Sequence, residues 1–359
     1  MNLRDFRECV EFNIKHGIKH AILGLGAPGV GKSQIIKQIG DKYGYKVIDL
    51  RLAQMSEVEI GGLIYPNEDH TKTRWLSPEV LPDEARDGEK TILLLDEITS
   101  CPKRVQVAAY QLILDRRVGQ YHLPDGTYVI GLGNREDDDG VYIRLAGPLA
   151  DRFEIHYIDV DFSVWKTDFA LPFGIHPFVL RYLSFKPQAL HTQSADPDSM
   201  IFATPRSWER VSDILKMDQD LSNPTVVNKI SGNIGPVETA QFVKFIKDDR
   251  SLVYADEFLE GKSSPPKDPS EVAVLTNALV EKASFLKGVI SAEDLDEKQL
   301  GLAKNIISAM FRLGTAEYTV IGLRDLMELN RTVVKKIFLE SDDPRAIRFM
   351  QENKYMLGL

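Results

Sequence analysis

The run Gly26-Ala27-Pro28-Gly29-Val30-Gly31-Lys32-Ser33 constrains this chain more than any other stretch, because it satisfies the phosphate-loop pattern G-x-x-x-x-G-K-[ST] without a mismatch. The preceding Ala21-Ile22-Leu23-Gly24-Leu25 is apolar throughout, as a buried strand requires, and Ser33 to Tyr43 has the spacing of an amphipathic helix. Strand, glycine-rich loop and helix in that order predict a nucleoside triphosphate site. Glycine lets backbone N–H groups approach phosphate oxygens, while the helix directs its positive end at the same anion. Lys32 is expected to reach the β- and γ-phosphates. Ser33 is expected to offer a hydroxyl ligand to Mg²⁺.

A second signal supports the first. Thr91-Ile92-Leu93-Leu94-Leu95-Asp96-Glu97 is an apolar run ending in two carboxylates, which predicts a buried parallel strand whose polar end meets the site. Asp96 would hold Mg²⁺ and Glu97 would polarise the attacking water. A third strand, Tyr128-Val129-Ile130-Gly131-Leu132, ends in Gly133-Asn134-Arg135. Asn134 there can hydrogen-bond the lytic water or the γ-phosphate, although an Asn at a strand end is commonly a turn residue. Val118 to Leu123 reads as a strand joined to this one through the turn Pro124-Asp125-Gly126, and Ile155 to Val160 as a last core strand. Gly61 to Tyr65 and Thr73 to Leu76 flank a polar segment and predict a projecting β-hairpin. Helices are expected over residues 1–20, with a stripe of Phe6, Val10, Phe12 and Ile14, and from Pro102 to Asp115. The acidic run Glu136 to Asp139 reads as a solvated loop, with a second metal site as the alternative.

Composition narrows the class. A chain of 359 residues with 43% hydrophobic content supports two or three packed domains. There is no bilayer-length apolar run and no signal-peptide layout at Met1 to Phe6, so a cytoplasmic location is expected. Cys9 and Cys101 have neither disulfide-framework nor metal spacing and read as structural thiols. The net charge of −9 argues against a protein that coats nucleic acid. No Asn-Lys-x-Asp element follows the core strands, which disfavours guanine specificity.

The order of these signals resembles the MoxR-like branch of the AAA+ ATPases. The resemblance rests on the phosphate loop, Leu94-Leu95-Asp96-Glu97, Arg116-Arg117-Val118 through Leu123-Pro124, Gly131-Leu132-Gly133-Asn134, and Pro148-Leu149-Ala150-Asp151-Arg152-Phe153. It implies a P-loop NTPase core of αβα layers with a parallel sheet, followed by an all-helical lid. It also implies ATP as substrate, Mg²⁺ as cofactor and a homo-hexameric ring. By the same resemblance Asn134 is the sensor 1 residue, and Arg152 is the arginine finger delivered to a neighbouring subunit. An ion pair with Asp151 or Glu154 is the plainer role for Arg152, and Arg144 and Arg117 are the other finger candidates. This chain has Asn134-Arg135 where the family commonly has Asn-Pro.

Beyond the core, expected over residues 1–161, the pattern turns helical, with a lid over 162–250 and a helical extension over 251–359. Thr204-Pro205 begins a helix in which Arg206 matches the family's sensor 2 residue, reaching the nucleotide from the lid. Lys262 to Pro269 is a linker by composition, and the cluster Glu293, Asp294, Asp296 and Glu297 reads as a solvated helical face. The resemblance implies chaperone-like remodelling of a protein partner, often one with a von Willebrand A domain. The hairpins at 62–76 and 119–127 match the positions of two inserts of that family and could face the ring axis, the alternative being a pair of solvent-exposed hairpins without substrate contact. A nucleic-acid motor is the alternative, but Lys72 and Arg74 stand against Glu68 and Asp69, so no basic pore is supported. A nucleotide-gated scaffold with little turnover is a third reading, disfavoured by the intact Glu97.

Overall fold

Apolar runs too uniform for an amphipathic surface strand become the centre of a parallel sheet. The computed structural model describes residues 1–138, 142–145, 147–192, 201–249 and 251–353, and they divide into two units, Met1–Asp161 and Phe162–Leu359. In the first unit, in chain order, lie α1 (Leu3–His16), β1 (Ala21–Gly26), α2 (Lys32–Tyr43), β2 (Lys46–Arg51), α3 (Glu57–Gly61), β3 (Leu63–Pro66) and β4 (Thr73–Leu76). They continue with α4 (Glu84–Asp87), β5 (Thr91–Asp96), α5 (Lys103–Leu114), β6 (Arg117–Val118), β7 (Tyr121–His122), β8 (Tyr128–Gly133), α6 (Gly147–Ala150) and β9 (Phe153–Ile158).

Five strands form one parallel sheet in the order β2-β5-β8-β1-β9. Strands β1 and β8 are buried along their whole length, and β5 along all but Asp96. Helices cover both faces. Phe6 and Val10 of α1 and Ile35, Ile36 and Ile39 of α2 pack with Ile22, Ile92, Leu94 and Ile130 on one face. Val105, Ala109 and Leu112 of α5 pack with Leu23, Leu93 and Leu95 on the other. This is the αβα P-loop core expected from the sequence, and a parallel sheet opens its carboxyl edge to a ligand.

Two details of this first unit differ from the sequence reading. Phe12 is 54% exposed and leans on His16, because it lies two residues past Val10, off the buried stripe. Val118 to Leu123 is not one strand. It doubles back on itself as the β6-β7 hairpin, with Arg117 opposite His122 and Val118 opposite Tyr121, while β8 leaves to join the parallel sheet. The reversal is made by Gly119, whose φ of 54° favours glycine. A Cβ on Gly119 would also stand 2.9 Å from the Trp75 ring, so the β6-β7 hairpin packs on the β3-β4 hairpin.

The second unit is helical: α7 (Phe162–Trp165), a π-helical turn (Lys166–Ala170), α8 (Pro177–Phe185), α9 (Pro205–Met217), α10 (Pro224–Ile234), α11 (Pro236–Asp248), α12 (Ser251–Leu259), α13 (Pro269–Lys282), α14 (Glu297–Met310), α15 (Ala316–Leu339) and α16 (Pro344–Asn353). Buried Arg181 of α8 pairs with Asp249 (2.8 Å) and Glu281, and Lys166 pairs with Asp325 inside α15. The acidic cluster is not a helical face, since Asp294 and Asp296 take part in capping boxes at the starts of two successive elements. Asp139, the end of the acidic run, and Arg250, the expected end of the lid, lie outside the described residues. No helix among the described residues is long and apolar enough to cross a membrane.

Candidate functional site

The phosphate loop bridges β1 and α2, and its glycines carry the turn: Gly29 and Gly31 have φ of 77° and 100°, in the left-handed region. Gly31 is the N-cap of α2 and offers no side-chain cap, so orphan first-turn N–H groups are left for an anion. Gly26, Ala27 and Val30 are buried, while Pro28, Gly29 and Gly31 are partly open. Lys32 is only 8% exposed. Its ammonium donates to the carbonyl oxygens of Gly26 and Ala27 (2.8 Å for the latter) and approaches Asn134 Oδ1 at 3.4 Å. The Ser33 hydroxyl donates to Asp96 Oδ2 at 2.6 Å. Four candidates from three separate elements thus meet at the carboxyl ends of β1, β5 and β8.

Glu97 follows directly. It is exposed and its φ is 59°, a left-handed backbone that costs a non-glycine residue roughly 1–2 kcal/mol. Its N–H donates to Asp96 Oδ1 at 2.9 Å, and its own C=O accepts from Ser100 N–H at 2.9 Å. That turn swings Glu97 out of the strand at the end where Ser33 and Asp96 meet. Strain held at such a point is characteristic of functional sites.

Arg135, the residue that departs from the resembled family's pattern, fastens the next edge. Its guanidinium donates to Asp159 Oδ1 (2.7 Å) and the Ile158 carbonyl (2.9 Å), tying the end of β8 to the end of β9. Arg135 beside it holds the Asp159 carboxyl below its ordinary range. Asp138 accepts from the Arg135 backbone N–H (2.7 Å), so this part of the acidic run is structural. Among the described residues no three His, Cys, Asp or Glu side chains gather as a metal site, and Asp139 of the acidic run lies outside them. Burial pushes the Cys101 thiol up to about 11, as expected of an inert structural cysteine.

The arginine candidates fall elsewhere. Arg152 precedes β9, whose Phe153 is level with Ala21 and whose Ile158 is level with Gly26. It therefore sits at the amino end of the sheet, about 20 Å by strand rise from its own phosphate loop. Its side chain is 41% exposed and pairs loosely with Asp151 at 3.4 Å. Arg144 is exposed, and Arg117 is exposed beside Asp115 (4.0 Å). Arg206 is exposed in the first turn of α9, after Thr204, whose hydroxyl accepts from Ser207 N–H at 3.1 Å. A cation in a first turn opposes the helix dipole, so Arg206 does not serve the helix.

Residues 21–153 match the model of the AAA domain of the dynein-related subfamily, a span from β1 to the first residue of β9. Over that span the fold is that of an AAA+ domain. Similar solved structures include a candidate ATPase of Cytophaga hutchinsonii, 14% identical over 74% of this chain and 71% of that one, with a TM-score of 0.29. Two single-residue variants of Thermotoga maritima RuvB, one lysine-to-arginine and one proline-to-glycine, are each 16% identical. They cover 75% of this chain and 77% and 78% of theirs, with TM-scores of 0.36 and 0.34. Values this low say nothing of substrate or assembly. No curated protein sequence matches the chain.

Sequence reasoning missed Thr99. Its hydroxyl accepts from Asn134 N–H (2.8 Å) and donates to Asn134 C=O (3.1 Å) at the inner edge of the candidate site. The available signal was a hydroxyl residue between Ile98 and Cys101, both fully buried.

Proposed function

We propose that this chain is a MoxR-like AAA+ ATPase that assembles as a homo-hexamer and uses Mg²⁺-dependent ATP hydrolysis to remodel a protein partner. The observation carrying the reading is the 2.6 Å bond between Ser33 and Asp96 beside buried Lys32 and the uncapped start of α2. Two hard oxygen donors from the two expected ligands already converge, and this donor set fits Mg²⁺. Ser33 and Asp96 would hold the ion, which supplies charge neutralisation to the β- and γ-phosphates.

The chain's own residues do the rest. Backbone N–H groups of Gly29 to Ser33 and the Lys32 ammonium bind the phosphates. Glu97 accepts a proton from the attacking water, and the Asn134 carboxamide orients that water or the γ-phosphate. Arg152 is too far from its own site to act there and is exposed, which supports a finger acting on the next copy around a ring. Arg206, unneeded by its helix, is assigned to sensor 2, on a lid spanning 162–250 with an extension over 251–359. The packed hairpins at 62–76 and 119–127 are assigned to contact the partner, a protein of the von Willebrand A type. A cytoplasmic location follows from the same reading.

The test is ATP hydrolysis by wild type, Glu97→Gln and Arg152→Ala across protein concentration, with particle size measured in parallel. Turnover that rises as rings assemble, and that both variants lose while still binding ATP, supports the reading. Assembled wild type that turns over no faster than Glu97→Gln would sink it.

A further inference from the structure

We propose that Thr99 is the positioning residue that fixes Asn134 beside Lys32; the inference rests on the role assigned to Asn134 above. The parallel ladder runs out before Asn134, since β8 pairs with β1 only as far as Gly133 and with β5 only as far as Gly131. The backbone of Asn134 therefore lacks strand partners. Thr99, fully buried, supplies both: one hydroxyl accepts from its N–H and donates to its C=O. Gly133 leaves the room, because a Cβ there would stand 2.5 Å from Thr99 Oγ1.

Thr99 is itself anchored. Its carbonyl accepts from Ile143 N–H (2.6 Å), and Ile98 N–H donates to the Leu132 carbonyl (3.0 Å). The buried Gln106 amide donates to the carbonyls of Ile98 and Ile143, each at 3.3 Å. On the other side, Asn134 Oδ1 faces the Lys32 ammonium. An ammonium only donates, so the carboxamide turns its oxygen to Lys32 and keeps its NH₂ donors for the phosphate or the water. With both peptide planes of Asn134 held by Thr99, that amide is presented in one orientation. Misplacement by about 1 Å is enough to slow chemistry roughly 100-fold.

The test compares Thr99→Val, which keeps the shape and removes the hydroxyl, with Thr99→Ser, which restores it. Thr99→Val is expected to lower kcat roughly 10- to 100-fold with KM for ATP changed less than about threefold. Thr99→Ser is expected to recover most of that loss. Thr99→Val combined with Asn134→Ala is expected to be no slower than Asn134→Ala alone, whereas a generally loosened fold would multiply the two losses. Hydrogen exchange over residues 128–138 gives a readout free of turnover, with protection at Asn134 lost in Thr99→Val and kept in Thr99→Ser. Unchanged exchange and kcat in Thr99→Val, or multiplied losses in the double variant, overturn the inference. Wild type without turnover would refute the hydrolysis reading instead, and exchange at Asn134 would still decide whether Thr99 holds it.

Discussion

Glu97 and His176 show what single residues give up for position. Glu97 stands in a left-handed backbone that glycine would take without strain. Glu97→Gly is expected to stabilise the chain by roughly 0.5–1 kcal/mol, the relieved strain less the added freedom of the unfolded chain, and to abolish turnover. Paired melting and hydrolysis measurements would check this. His176 caps α8, with Nδ1 accepting the Phe178 N–H at 3.2 Å. Burial first, and the Arg181 cation second, push its pKa down to about 4 from an ordinary 6.5. Between those values the unfolded chain binds a proton that the folded unit refuses. Stability is therefore expected to fall as pH drops from 6.5 to 4, by up to about 3 kcal/mol. His176→Asn keeps a capping oxygen without titrating and should flatten that slope; an unchanged slope would remove His176 as its cause. At this scale local patterns nominated the phosphate loop, Asp96 and Glu97, and the resemblance nominated Asn134; the structure brings Lys32 to Asn134 and Ser33 to Asp96. Neither could nominate Thr99, because its role depends on a partner 35 positions away.

Elements were legible where periodicity was strong. Every sheet strand fell on an apolar or alternating run, since burial in a parallel sheet leaves that mark. The β6-β7 reversal escaped because Val118 to Leu123 is short and alternates like a strand, while the deciding contact is the Trp75 ring against Gly119. Gly119→Val should break this contact and uncouple the hairpins. The expected result is an unchanged ATP affinity, since the phosphate loop is untouched, with faster proteolysis within residues 62–76. Equal cleavage rates in variant and wild type would show that the hairpins do not depend on one another. In the helical unit, Asp325 is fully buried against Lys166, and burial holds its carboxyl above the ordinary range. Asp325→Asn strands a buried ammonium and is expected to cost about 3–5 kcal/mol in a melting experiment. Lys166→Met together with Asp325→Leu should recover much of that loss.

For the whole molecule, the segment after residue 250 is not a free tail. Helix α13 supplies Glu281 to Arg181, and α15 supplies Asp325 to Lys166, so both lock onto helices from before residue 190. Composition pointed to a linker at Lys262 to Pro269 but not to this closure, which only tertiary packing decides. In the first unit the candidate site lies at the carboxyl ends of the sheet strands, with Arg152 a strand length away at the amino end. If Arg152 acts on the next copy, as proposed above, a complete site needs two copies, and mixing two inactive variants tests that most directly. Glu97→Gln keeps Arg152, and Arg152→Ala keeps Glu97. Random co-assembly at equal amounts should restore about a quarter of wild-type ATP turnover, because that share of interfaces joins an intact Glu97 to an intact Arg152. Co-assembled mixtures that stay as inactive as either variant alone would contradict the account.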